Sequence, residues 1–481
     1  MANTFTKLLV FVHRWLGIVL CLFFTMWFFS GIVMMYVAFP SLSEMDRLGF
    51  LEPINTAVME VEPYQALGLC GKDQINELRV ISLETRPVYV CENDTDGLRT
   101  VYADVLSRAT LLSKERVIAI ADAALGTPSV PSVPFVVDGP MEYDQWIVHE
   151  KFDLYRPFYR VEVDDPASTH LYISAQTGEF LQRTSAQQRF WNYLGAVVHW
   201  IYPTVLRKHW VLWDQVVWWL SLFGIVGATI GVYLGVWHLL KIRRSGQKLL
   251  SPFRSWMKWH HLVGLFSGLF VVSWIFSGWL SMDHGRLFSE STPTIEHAKS
   301  VRGLTMSEIA AKVSVKELST YRNTREITLH AFGGAEIIVA KNEGGLVDTP
   351  GLHPKEISRV IGAAWSGSTI FHTSVVQPLD TYTHLREGQL PGGTVRVELA
   401  DTASTWIHVD VHSGEILSLV DRSRRLYRWL FNGLHSLDVP GLVERRPLWD
   451  LVMLLLLSSG LLASVTGVVV GSKRLIRTLT R

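Results

Sequence analysis

The chain has 481 residues, 48% of them hydrophobic and only 19% charged, and it carries 18 tryptophans. This balance suits a membrane protein and excludes an ordinary soluble enzyme of the same size. A formal net charge of +1 gives no argument for a nucleic-acid partner.

In chain order, the first span predicted from hydropathy is Trp15 to Phe39, free of Asp, Glu, Lys and Arg. It exceeds a signal-peptide core and no small-residue cleavage site follows, so it reads as a retained helix. Gln215 to Leu240, Leu262 to Met282 and Leu451 to Ser472 are equally free of charge. Each of the four is long enough for a helix to cross about 30 Å of hydrocarbon. Lys241 to Lys258 holds six Lys or Arg and no acid, the tail carries Lys473, Arg474, Arg477 and Arg481, and the N-terminus offers Lys7 and Arg14. This bias places both termini and the middle loop in the cytoplasm.

The expected organisation is therefore a cytoplasmic N-terminus and first helix (1–40), a periplasmic domain (41–190), an interfacial segment and second helix (191–240), and a basic loop (241–258). A third helix (259–283), a second periplasmic domain (284–425), an interfacial segment with the fourth helix (426–472) and a tail (473–481) complete it. The location implied is a bacterial inner membrane.

Each external region is expected to hold helical stretches, Ser113 to Leu125 and Ser307 to Leu318, ahead of alternating strand segments, Thr169 to Glu179 and Thr405 to Glu415. Thr177-Gly178 and Ser413-Gly414 suit hairpin turns that need a positive φ. Of three cysteines, Cys21 lies within the first span, while Cys70 and Cys91 share the first external region and are expected to form a disulfide. No Cys-x-x-Cys-His occurs, which excludes covalent c-type haem attachment by motif.

The two halves repeat. His13-Arg14-Trp15-Leu16-Gly17 recurs 247 residues later as His260-His261-Leu262-Val263-Gly264, and Phe29-Ser30-Gly31 recurs in the same register as Phe276-Ser277-Gly278. Further along, Arg160 matches Arg396, His199 matches His435, Trp213-Asp214 matches Trp449-Asp450, and Gly231 and Gly235 match Gly467 and Gly471, all at an offset of 236. This reads as a tandem duplication in which the first external region is eleven residues longer.

Because the first and third spans run in the same direction, the repeats are parallel about an axis along the membrane normal. His13 and His260 then share one height on the cytoplasmic side, and His199 and His435 share another on the periplasmic side. Four symmetric histidines make two candidate bis-imidazole pairs, a ligand set for two b-type haems; the alternative is that each is an amphipathic residue at headgroup depth. His261, His238 and His284 have no repeat partner and are the weaker alternative ligands. Trp27, Trp274, Trp200, Trp218, Trp219 and Trp237 could pack against porphyrin, although interfacial belts and helix packing account for most membrane tryptophans. Asp144 with Asp380 and Arg160 with Arg396 read as structural ion pairs, and Tyr202, Arg207 and His209 as the lining of a shallow periplasmic cleft.

The histidine-aromatic-glycine starts of spans one and three, the strand-Ser/Thr-Gly-Glu hairpins, Arg189 to Pro203 and Leu434 to Asp438 resemble the PepSY-associated transmembrane family. That resemblance covers nearly the whole chain. It implies an all-α four-helix transmembrane domain built from a tandem parallel repeat, with two α+β PepSY-like periplasmic domains. It also implies haem b and the reduction of a ferric siderophore to release Fe(II). With no Gly-x-Gly-x-x-Gly fingerprint or Walker loop, electrons are expected from membrane quinol or a separate cytoplasmic flavoprotein. The alternatives are a regulatory or peptide-binding membrane protein, and a haem reductase for another periplasmic acceptor.

Overall fold

A computed structural model describes residues 4–71, 75–93, 97–126, 133–283, 285–347, 349–377, 380–382 and 390–480. Among these, four helices are long and apolar enough to cross a membrane: α1 (Thr4–Met34), α2 (Trp210–Arg244), α3 (Ser255–Leu280) and α4 (Arg446–Leu479). Each extends beyond its expected span at its basic end, where long Lys and Arg side chains keep their charge in water along the helix flank. At their other ends α1 and α3 stop short of the expected spans, at Met34 and Leu280. Residues 35–39 lie past α1, and Phe39 turns in against Trp146, Trp200 and Tyr202 just before Pro40.

The helices form a closed ring in which α1 packs on α4, α4 on α3, α3 on α2 and α2 on α1. Hence α1 and α3 face each other across the bundle interior. The middle of that interior is filled by Phe28, Val271, Trp274, Ile275, Met453 and Leu457.

The sheet-bearing regions follow α1 and α3 and precede α2 and α4, so both stand at the same end of the bundle. The first contributes β1 (Ile75–Leu83), β2 (Arg86–Asn93), β3 (Gly97–Tyr102), β4 (Phe135–Met141), β5 (Phe158–Val163), β6 (His170–Ser174) and β7 (Phe180–Thr184). The second contributes β8 (Glu326–Phe332), β9 (Ala335–Asn342), β10 (Gly345–Val347), β11 (Ile370–Val375), β12 (Val395–Leu399), β13 (Trp406–Val409) and β14 (Ile416–Val420). Strands β4 to β7 and β11 to β14 form two separate antiparallel sheets. The remaining six form one sheet in the order β10-β9-β8-β1-β2-β3.

The backbones of the two external regions are therefore hydrogen-bonded into one shared sheet. The join is antiparallel, with Arg79 opposite Thr328, Leu78 opposite Leu329 and Val80 opposite Ile327. Pairing β1 with β8 satisfies the edge of each hairpin with the other. Charge reinforces the join from both regions. Arg79 lies 2.6 Å from Glu179 and 3.3 Å from Glu326, and Arg47 lies 2.8 Å from Glu326.

The expected helix at 113–125 forms as Lys114–Leu125, capped by the Ser113 hydroxyl. The one at 307–318 is broken. Met306–Lys312 ends at Val313 in an extended conformation, and Ser314 caps a new turn, Val315–Leu318. The hairpin strands are also shorter than their alternation suggests, because β6 stops at Ser174 and β13 at Val409. Both turns place glycine at φ +74°. A Cβ on Gly178 would stand 2.5 Å from Leu83 Cδ1, and one on Gly414 2.7 Å from Phe332 Cβ, so each turn also needs glycine to dock on the shared sheet. Cys70 and Cys91 are disulfide-bonded and tie helix Pro63–Cys70 to β2.

Candidate functional site

The four symmetric histidines come together in two pairs. His13 on α1 faces His260 on α3 with ring centroids 6.4 Å apart and planes 28° apart. His199 and His435, each just after a π-helical turn (Tyr193–Val197 and Trp429–Gly433), face each other at 6.1 Å and 75°. Those turns pack on α1 and α3 respectively, which brings residues distant in sequence to the bundle axis.

Hydrogen bonds fix the tautomer of every ring. His13 Nδ1 lies 2.9 Å from the Gly227 carbonyl, and His260 Nδ1 lies 3.3 Å from the Ala463 carbonyl and 3.3 Å from Thr466 Oγ1. A carbonyl can only accept, so both Nδ1 atoms carry the proton. At the other pair, Ser30 Oγ gives its hydrogen to Met26 O at 2.6 Å and Ser277 Oγ gives its own to Trp274 O at 3.0 Å. Each hydroxyl is then an acceptor for the histidine beside it, His199 Nδ1 at 2.9 Å and His435 Nδ1 at 3.0 Å. All four imidazoles thus carry the proton on Nδ1, which in the neutral ring leaves the Nε2 lone pair for coordination.

Glycines shape the same four places. A Cβ on Gly231 would stand 2.5 Å from His13 Cε1; on Gly467, 3.3 Å from His260 Cε1; on Gly278, 3.3 Å from His435 Cε1; and on Gly31, 3.7 Å from His199 Cε1. Each ring therefore lies on the bare backbone of a neighbouring helix. Around His13 and His260 is a cavity of about 930 Å³. Its walls are apolar, and Arg14, Arg254, Lys473, Arg474 and Arg477 stand among its lining residues.

This arrangement fits a bis-imidazole haem. Two metal–nitrogen bonds of roughly 2 Å, plus about 1 Å from each nitrogen to its ring centre, require centroids roughly 6 Å apart, as both pairs have. At His13 and His260 the apolar cavity suits the macrocycle and the cations suit its two carboxylates; the His199–His435 pair matches in ring spacing. From His13 to Ser30 is 17 residues of one helix, so the pairs are separated by roughly 25 Å along α1.

Of the weaker histidine candidates, His261 and His238 line the same cavity as His13 and His260, and His261 Nδ1 is buried with no hydrogen-bond partner among the described residues. His261 commits Nε2 to the Gly235 carbonyl at 3.0 Å, and its ring meets His238 and Phe253. His284 lies outside the described residues.

Among the tryptophans, Trp27 and Trp274 belong to the site's surroundings: Trp27 Nε1 donates to His199 O at 2.9 Å, and Trp274 meets Phe28 at 5.8 Å. Trp200, Trp218, Trp219 and Trp237 make other contacts, with Phe39, with Trp279, with Phe223 and with His238. Tyr202 and Arg207 do not line a cleft. Both are buried, and the Arg207 guanidinium is packed over the rings of Tyr202, Trp210 and Trp213, while His209 stays exposed ahead of α2.

The outer ion pairs are structural: Arg160 meets Asp144 at 3.0 Å and Arg396 meets Asp380 at 2.7 Å. His408, at the position matching Tyr172, accepts from Arg396 at 2.9 Å. Burial first, and then the Arg396 charge, push its imidazole down to about 4, so it is neutral at pH 7.

Sequence reading missed the carbonyls of Gly227 and Ala463, which carry no side-chain signal. It did mark Gly231 and Gly467 as a recurring pair, but their contact with the histidines required the helix packing. No curated protein matches the chain. The model described as PepSY-associated TM region matches residues 10–313, well over half of the sequence, and the chain belongs to that family of membrane proteins.

Proposed function

We propose that this is an inner-membrane, di-haem electron-transfer protein that reduces Fe(III) held by a siderophore in the periplasm, a ferric-siderophore reductase. The observation that carries this reading is the pair of facing, Nδ1-protonated histidine couples at the two ends of one bundle. The duplication supplies a reason for both couples at once: a parallel tandem repeat puts each residue beside its copy across the bundle axis. With the basic loops in the cytoplasm, His13 and His260 serve the inner face, and His199 and His435 the outer.

When bound, haem b supplies reversible one-electron chemistry. The chain's own residues hold and insulate it. The histidines offer Nε2, and Gly227, Ala463, Ser30 and Ser277 orient the rings. The layer of Phe28, Val271, Trp274 and Leu457 keeps water out between the pairs. One electron delivered outside turns Fe(III) into Fe(II), a weaker partner for anionic oxygen ligands, and the metal leaves the chelator.

The test is a dithionite-reduced minus oxidised spectrum of the purified protein, with a pyridine haemochrome assay for haem per chain. Two low-spin b-type haems are expected. His13→Ala or His260→Ala should remove one, and His199→Ala or His435→Ala the other. Two haems with unchanged spectra in all four variants would refute the ligand assignment. A folded, colourless preparation would refute the redox function and favour a regulatory one.

A further inference from the structure

Beside His260, at the end of α3 where α4 finishes, lies a second and smaller cavity of about 360 Å³ lined by Ser255, Trp256, Trp259, Val263, Leu462 and Thr466. It is a lateral cleft. Trp256, Trp259 and Leu462 are 43%, 58% and 51% exposed on the bundle surface, which is lipid-facing in a membrane, whereas Thr466 is 1% exposed and forms the floor. Two lining residues, Ser255 and Trp256, are shared with the large cavity around His13 and His260.

The repeat makes this cleft conspicuous. Stepping back by 247 residues on α3 and by 236 on α4 gives the matching positions between α1 and α2: Leu8, Leu9, Val12, Leu16, Val226 and Ile230. All six are aliphatic. The half around His260 has replaced four of them with two hydroxyls and two indoles. Helix packing against lipid does not ask for that exchange, since a hydroxyl in hydrocarbon has to be satisfied and leucine does not. The glycine behind each histidine, by contrast, is the same in both halves.

We propose that this cleft binds the ring of an isoprenoid quinol, the electron donor for the reaction proposed above, on which this inference rests. The occupant has to come from the bilayer, because the mouth faces lipid. Among the described residues no charged side chain lines the cleft, so an anionic lipid headgroup or a nucleotide would lose its solvation without a partner there. A neutral ring with two hydroxyls and an isoprenoid tail matches each feature: indole faces for the ring, an apolar mouth for the tail, and a polar floor.

The floor also leads to the metal ligand. Thr466 Oγ1 gives its hydrogen to Ala463 O at 2.8 Å and lies 3.3 Å from His260 Nδ1. A hydroxyl has two lone pairs. One faces the imidazole, and the second can accept from a quinol hydroxyl, which would place the donor two hydrogen bonds from His260. The stoichiometry closes: one quinol yields one quinone, two protons and two electrons, enough to reduce two Fe(III) to Fe(II).

The experiment is photolabelling of the full-length protein in lipid nanodiscs with an azido-quinone, mapped by peptide mass spectrometry, with haem counted in the same samples. Label is expected on 255–263 and 462–466, removed by excess unlabelled quinone. Thr466→Val should weaken labelling about fivefold to tenfold by loss of one hydrogen bond, and Trp259→Leu should weaken it independently. Label spread equally over 8–16 and 226–230, label unchanged in both variants, or no competed label in haem-replete protein would overturn the proposal. Competed label at the cleft in a protein without haem would instead sink the di-haem reading and leave the quinone site standing.

Discussion

Replacing Gly231 with alanine adds one methyl group, and the structure says where it goes. The new Cβ would lie 2.5 Å from His13 Cε1, 3.1 Å from Nδ1 and 3.4 Å from Nε2. Carbon atoms settle at about 3.5–4.0 Å, so the ring has to retreat by roughly 1 Å. Its Nδ1 is tethered at 2.9 Å to Gly227 O on the same helix, and the 6.4 Å between the paired rings leaves metal–ligand geometry a tolerance of only about 0.2 Å. Loss of an orienting partner alone weakens a metal site about 10–100-fold.

Gly31→Ala provides the control, since its Cβ would sit 3.7 Å from His199 Cε1, an ordinary contact. Haem per chain by pyridine haemochrome, together with the low-spin electron paramagnetic resonance signals, reads both variants. Gly231→Ala should lose or distort one of two haems and Gly31→Ala should keep both. Two unaltered haems in Gly231→Ala, or loss in Gly31→Ala with Gly231→Ala intact, would refute the idea that bare backbone sets the ligand position.

The joined sheet makes a pH prediction. Burial alone would raise the Glu326 carboxyl, but the hydrogen bond and charge of Arg47, with Arg79 and Lys341 behind it, push it down to about 2. A depressed carboxylate stabilises the fold above its unfolded value near 4.5 and loses that contribution as pH falls towards 2, here about 3 kcal/mol in all. Thermal unfolding of the wild type should therefore fall more steeply between pH 5 and pH 2 than that of Glu326→Gln, which starts less stable at pH 7; parallel curves would contradict this. Reduction of Cys70–Cys91, which closes a separation of 21 residues, should cost about 3 kcal/mol on the chain-entropy account. Denaturant unfolding with and without reductant measures it, and both haems should survive because the bridge lies within the sheet domain.

Four charge-free stretches, a basic middle loop and the recurrence of His13 as His260 and His199 as His435 were sufficient to foresee the membrane helices and the pairing of four particular histidines. Those features are local or periodic, and a bilayer permits few backbone solutions, so sequence determines them directly. The disulfide and the glycine turns at 178 and 414 were legible for the same local reason.

What tertiary structure alone decided depends on approach between distant segments. The pairing of β1 with β8 fuses the two external regions through Arg79, Glu179 and Glu326, a contact no pattern within either strand encodes. Tyr202 and Arg207 looked like cleft residues until packing buried them. The proton acceptors of His13 and His260 are main-chain carbonyls, which every residue possesses. Side-chain identity therefore cannot announce them, and only the crossing of one helix over another chooses which carbonyl is used.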